Sequence, residues 1–193
     1  MRRISILLCF LCIGVGSIHA YSNISIETLY RGKRGTVSSS LGSNTYSGTE
    51  LELLVSSYAT VDELYSFSYF GGLTKAISVT HDQGEMHVSS YPASWFYGVG
   101  NTLLIPISET TTVELSFSYD VSYLAYQASE SRVDHLRIAL RLLQPTFEGL
   151  YVTFGLEYSK PLWGRVYTQD QAIQLQYAGS ALALIAGFSY QLW

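Results

Sequence analysis

From Val113 to Tyr123 the chain alternates without a break. Val113, Leu115, Phe117, Tyr119, Val121 and Tyr123 are apolar or aromatic, and Glu114, Ser116, Ser118, Asp120 and Ser122 between them are polar or charged. Successive side chains of a strand point to opposite faces, so this stretch has one greasy face and one polar face. An ordinary soluble strand averages about 5–6 residues, whereas a tilted membrane-spanning strand needs about 9–11. The run from 113 to 123 meets the longer requirement, and the same pattern recurs seven more times.

The first twenty residues read as an export signal. Met1-Arg2-Arg3 is a positive start, Ile4 to Gly16 is apolar, and Ser17-Ile18-His19-Ala20 offers a small residue for cleavage. That apolar run is too short for a spanning helix, and no stop-transfer segment follows it. Both cysteines, Cys9 and Cys12, fall inside it and read as part of the apolar filler. The processed chain is then expected to lack disulfides, thiolate metal sites and cysteine nucleophiles. Without Arg2 and Arg3, nine basic residues face fifteen acidic ones. No basic patch remains to attract nucleic acid. Sixteen tyrosines and three tryptophans are the compositional oddity. Both residue types favour membrane–water interfaces, where ring and polar edge are each satisfied. After the signal no segment is continuously apolar for even ten residues, so any crossing of a membrane is by strands.

Eight strands are expected, at about 23–31, 49–58, 64–71, 94–105, 111–123, 134–143, 150–160 and 178–193. Short links (59–63, 106–110 and 144–148) follow the second, fourth and sixth strands. Longer, Gly/Ser-rich links follow the first, third, fifth and seventh. Short turns at one end and long loops at the other, on an even strand count, are the asymmetry of outer-membrane barrels. All four prolines, Pro92, Pro106, Pro145 and Pro161, fall at expected strand ends, where a missing ladder donor is tolerated. Aromatics gather into two expected girdles: Tyr58, Tyr65, Tyr190 and Trp193 at the turn end, and Trp95, Tyr97, Tyr123, Tyr158 and Trp163 at the loop end. A soluble barrel of the lipocalin kind also alternates, with its apolar face inside. Strand length, girdles and loop asymmetry favour the membrane orientation.

On these features residues 21–193 resemble the small eight-stranded outer-membrane barrels of the OmpX type, the OmpA transmembrane domain and the OmpW type. The likeness implies an all-β, eight-stranded antiparallel up-and-down transmembrane β-barrel in the outer membrane of a Gram-negative-type bacterium, loops facing outside. Its most specific piece is the C-terminus, where Phe188, Tyr190 and Leu192 share one parity and an aromatic, Trp193, ends the chain. In the family such a last strand resembles the signal read by the barrel-assembly machinery. Here Trp193 is one residue out of phase. The partners implied are outer-membrane lipid and that machinery.

If the apolar parity faces lipid, then Glu27, Arg31, Glu50, Glu52, Glu114, Asp120, His135, Arg137, Arg141 and Glu157 face inward. An eight-stranded barrel is only wide enough for its own side chains, and charges in so narrow a space must pair. Arg137 and Arg141 are expected to form a salt-bridged plug with Glu114 and Glu157, the planar guanidinium bonding two carboxylate oxygens at once. The OmpA resemblance implies that such an arrangement can act as a gate. Loosely solvated lumen charges are the blander alternative.

A catalytic constellation is not expected. His87-Val88-Ser89 resembles the H-x-S pair of lipid A deacylases but falls in a loop, with no third group to orient the base. His81, Asp82, Glu85 and His87 are the residue types that chelate cations, and read more simply as a solvated loop. Asn23-Ile24-Ser25 matches a glycosylation sequon but lies at a strand start in a bacterial context. No cofactor or metal is expected. Inward glycines Gly98, Gly100, Gly155, Gly179 and Gly187 either thin the wall for a small pore, of cation-preferring or OmpW-like hydrophobic-solute type, or make room for bulky arginines. The loops then carry the main functional expectation, a structural or surface-interaction role toward an extracellular ligand.

Overall fold

The computed structural model describes residues 22–39, 42–60, 64–81, 84–86, 92–126, 129–167, 172–175 and 180–192. The expected export signal with Cys9 and Cys12, His87, Gly179 and Trp193 lie outside these residues. Eight long strands run β1 (Ser22–Ser39), β2 (Gly42–Thr60), β3 (Tyr65–His81), β5 (Ser94–Ser108), β6 (Thr111–Tyr126), β7 (Ser129–Phe147), β8 (Leu150–Tyr167) and β10 (Ala181–Leu192). Two short ones, β4 (Gly84–Met86) and β9 (Ala172–Leu175), extend β3 and β8 at the loop end. Each long strand pairs antiparallel with its sequence neighbour among the eight, and β10 pairs with both β8 and β1. The sheet closes on itself, and an eight-stranded up-and-down barrel results.

Closure leaves no free edge along the wall, which hydrocarbon demands because it offers no water to an unpaired N–H or C=O. The orientation is inverted relative to a soluble barrel. Leu140, Phe154 and Leu184 on the outer face are 51%, 55% and 68% exposed, whereas Glu52, Asp120 and Glu157 inside are at 1%, 0% and 3%. The outward parity of the opening run on β6 carries exposed Leu115 and Phe117, and its inward parity carries buried Glu114 and Asp120. A surface of this kind is stable only against an apolar phase. No helix long and apolar enough to cross a membrane occurs among the described residues.

The strands extend past their expected ends toward the loop side. The first link, expected over Gly32–Gly48, is a continuation of β1 and β2, with Gly35 opposite Tyr46 and Ser39 opposite Gly42. β3 likewise runs to His81, β7 begins at Ser129 and β8 reaches Tyr167. Above the membrane both faces of a strand are wet, so alternation fades there although pairing continues. At the other end the turns are tight: Glu109-Thr110 joins β5 to β6 and Glu148-Gly149 joins β7 to β8. Gly149 has φ of 74°, which glycine adopts without Cβ strain, and its carbonyl accepts from Gln191 N–H at 2.8 Å. Pro106, Pro145 and Pro161 all sit at breaks in pairing register, where a strand can lose a donor.

Inward glycines seat large inward side chains. A Cβ on Gly98 would stand 2.6 Å from the Phe70 ring, on Gly155 2.9 Å from Arg141 Cγ, and on Gly187 2.9 Å from Leu29 Cδ2. At these three places the missing side chains hold a neighbour's bulk and leave no passage.

Candidate functional site

The lumen is occupied by a two-tier ionic network. In the tier nearer the turn end, Arg141 on β7 donates through Nη1 to Glu27 Oε2 on β1 at 2.7 Å and through Nε to Glu114 Oε1 on β6 at 2.9 Å. Glu27 Oε1 also accepts from Tyr58 OH at 3.3 Å and from Ser25 Oγ at 3.4 Å. In the second tier, Arg31 on β1 reaches Glu52 Oε2 at 2.5 Å and Glu157 Oε2 at 2.9 Å. Arg137 holds Asp120 through Nε at 2.6 Å and Nη2 at 3.0 Å, and donates to Glu52 Oε2 at 3.3 Å. Thr74 Oγ1 donates to the same Glu52 oxygen at 3.3 Å, and His135 Nδ1 lies 3.5 Å from Asp120. Lys33 pairs with Glu50 toward the loop end.

β2 and β7 stand four strands apart in either direction around the wall. The Arg137–Glu52 contact therefore crosses the full diameter of the barrel. Phe96 packs beneath the same guanidinium, its ring centroid 5.3 Å from Cζ. Arginine suits this role because one planar fork serves several carboxylates while its flat face stacks on an aromatic ring. A cavity of about 60 Å³ lined by Ser56, Tyr58, Ser118 and Arg137 lies against the network, enough for a few waters.

All ten expected inward charges face the lumen, but their partners differ from the expected set. Arg141 does meet Glu114. Glu157 pairs with Arg31, and its closest approach to Arg137 is 3.9 Å. Arg137 takes Asp120 and Glu52 in its place. Strand adjacency suggested the neighbours of β7, whereas side chains in so narrow a tube reach across it. Lys33, which falls in the link expected after the first strand, also faces inward, as its parity with Arg31 signals.

The expected aromatic girdle needs one correction. Tyr58 has the inward parity of Glu52 and Ser56 and donates to Glu27, so it belongs to the lumen. Tyr65 is outward and donates to Asn101 Oδ1 at 2.6 Å, which satisfies a polar side chain on the lipid-facing wall. Trp95, Tyr97 and Tyr123 form a continuous stack on β5 and β6; the Trp95 and Tyr123 rings lie 4.2 Å apart and inclined by 10°. Tyr158 is outward and exposed, and Trp163 carries Arg132 and Arg165 against its ring. Phe188, Tyr190 and Leu192 point outward on β10.

Among the described residues no cluster of His, Asp and Glu has the grouping of a metal site. Of the His87-Val88-Ser89 triplet and the His81–His87 loop, the side chains lie outside the described set.

No protein-family model matches the chain, and no curated protein does. Solved structures do. Neisserial surface protein A is 12% identical with a TM-score of 0.52, over 86% of this chain and 96% of that one. A major outer membrane protein from Thermus thermophilus is 10% identical with a TM-score of 0.51, over 89% and 100%. The outer membrane protein AlkL is 11% identical with a TM-score of 0.51, over 92% of each. The fold is thus that of the small outer-membrane β-barrels.

The network sets a stability test. Arg137→Met leaves Asp120 and Glu52 buried with one cation fewer, and is expected to lower unfolding free energy by about 3–5 kcal/mol. The double variant Arg137→Met/Asp120→Leu removes that isolated charge and is expected to recover at least half of the loss. Denaturant titration of the barrel in lipid vesicles measures both; equal losses in the single and double variants would exclude the pairing.

Proposed function

We propose that the protein is an integral outer-membrane barrel, loops facing outside, whose lumen is plugged by its own charged side chains. It works as a structural or surface-interaction protein through its loop end, without catalysing a reaction. The observation that carries this reading is the Arg137–Glu52 contact across the barrel's diameter, backed by Arg31 and Arg141 in the tiers on which it rests. A tube so cross-linked leaves little space for a substrate. Activity directed outward is left to the elements beyond the membrane. The largest of these in the described residues is the β1–β2 hairpin, which continues in register from Gly35–Tyr46 to Ser39–Gly42. One of the similar structures is itself named a surface protein, which accords with this role. On β10 the outward row Phe188, Tyr190 and Leu192 is the face offered to the assembly machinery, and the belt of Trp95, Tyr97, Tyr123, Tyr158 and Trp163 is the one offered to lipid.

A second reading has one observation behind it. Six carboxylates face three arginines and Lys33 inside, and an acidic excess selects cations if the plug opens. Planar-bilayer recording separates the two. The wild-type barrel is expected to be silent, and Arg137→Ala to give small cation-selective steps; reproducible wild-type conductance would overturn the plug. Replacing 36–45 by Asn-Gly, which closes a hairpin in two residues, is expected to leave folding unchanged and to remove adhesion of expressing cells. Undiminished adhesion would take the β1–β2 hairpin out of the surface role.

A further inference from the structure

Two arginines oppose each other on the outer wall. Arg132 on β7 and Arg165 on β8 are direct cross-strand partners and share a face. Like charges placed directly opposite destabilise a sheet, so the arrangement calls for a compensating group. Asp134 supplies part of it, accepting from Arg132 Nε at 3.2 Å and from Tyr119 OH at 2.6 Å. That carboxylate is thus committed to Arg132 and Tyr119. Arg165 makes no ion pair among the described residues; its guanidinium lies over the Trp163 ring, with Cζ 4.5 Å from the centroid. Arg132 lies over the same ring at 5.4 Å and over Tyr123 at 5.7 Å. Glu130, one position further up this face, makes no ion pair among the described residues either.

The aromatic rings flatten both guanidinium groups against the wall; Arg132 Nε is taken by Asp134, and the remaining N–H groups of the pair meet no carboxylate among the described residues. The register break at Asp134/His135 brings this about, because it sets Trp163 opposite Asp134 and Arg165 opposite Arg132. The height is informative too. Arg165 lies 15 residues above the start of β8, and Arg132 as far from the end of β7. At a tilt of about 40° this is roughly 35–40 Å along the axis, above an apolar band of about 25 Å, and Arg132 is the direct cross-strand partner of Tyr123, itself opposite Trp95, so the pair stands in the row of the loop-end aromatic belt. Lys160, exposed on the same face of β8 and five residues lower, stands near the upper edge of that band. Cationic groups in that row face the headgroup layer of the surrounding leaflet.

We infer that Arg132 and Arg165, clamped on Trp163, form a binding site for the phosphate of a lipid headgroup in the outer leaflet. Two guanidinium forks give several parallel N–H donors, the geometry suited to phosphate oxygens. The bound anion removes the repulsion between the pair, so the site anchors one lipid at a fixed place on the wall. The inference needs the barrel to stand in a lipid leaflet. It is independent of whether the lumen conducts, so the bilayer recording and the test below fail separately.

The test uses protein expressed from the full chain and purified from membranes in a non-ionic detergent. Phosphatidic acid is titrated in and retention is scored by native mass spectrometry, with phosphatidylcholine of the same acyl chains and inorganic phosphate as comparators. Phosphatidic acid is expected to be retained about tenfold more tightly than phosphatidylcholine. Arg165→Gln and Arg132→Gln are each expected to weaken it about tenfold. Arg165→Lys, which keeps the charge and loses the fork, should fall between, and covers the case in which the glutamine variant fails to fold. Arg34→Gln, an outward arginine on β1, should leave binding unchanged. Wild-type retention by Arg165→Gln or Arg165→Lys, or equal retention of the two lipids, would overturn the site. Displacement of phosphatidic acid by inorganic phosphate at equal concentration would overturn the lipid headgroup as its occupant.

Discussion

Hydrocarbon cannot hydrogen-bond a peptide group, and most of this structure follows from that. A sheet in such a solvent must close, and once closed with eight strands it has an interior with room for side chains alone. The outer face is then free to be apolar, as Leu140, Phe154 and Leu184 are. The inner face is free to be polar only if every charge finds a partner at short range. Arg31, Arg137 and Arg141 answer both demands. Each satisfies at least two carboxylates, and each ties its strand to one that is not its neighbour.

Pairing of this kind closes the tube and fixes it. A buried charge left alone costs several kcal/mol, whereas a well-bonded pair costs little. Glu52 accepts from Arg31, Arg137 and Thr74 on one oxygen, so the second tier behaves as one unit. The lipid-facing wall carries the complementary pattern. Two of its polar side chains are satisfied locally, Asn101 by Tyr65 and Asp134 by Tyr119, and at the rim Arg132 and Arg165 stand together. The arginines of the interior find their carboxylates within the tube, and the rim is left open to its surroundings.

The period of two told which residues face lipid, and it did so wherever one face is apolar. Strand number, antiparallel order and the inward set from Glu27 to Glu157 were all legible for that reason. Strand ends at the loop side were not, because β1, β2, β3, β7 and β8 continue into water, where neither face needs to be apolar. Partner choice was hidden as well. Glu157 pairs with Arg31 and Arg137 with Glu52 because of the stagger at which the barrel closes, and that stagger has no local signature. Tyr58 was misplaced by residue type, an aromatic near a strand end, although its parity with Glu52 and Ser56 already placed it inside. The Arg132–Arg165 pair depends on a single register break beside Pro161, which no pattern in the chain announces.

Inward and outward residues alternate along β7, so one scan of that strand reads both the orientation of the wall and the closure of the lumen. Single nitroxide labels at Ile138, Ala139, Leu140, Leu142 and Leu143, in the barrel reconstituted in lipid, report collisions with oxygen, which concentrates in hydrocarbon, and with a water-soluble nickel chelate. Labels at Ile138, Leu140 and Leu142 should meet oxygen and exclude nickel, while those at Ala139 and Leu143 should be reached by neither. Nickel access at Ala139 would mean an open aqueous lumen, and oxygen access at Ala139 with nickel access at Leu140 would mean a wall turned the other way.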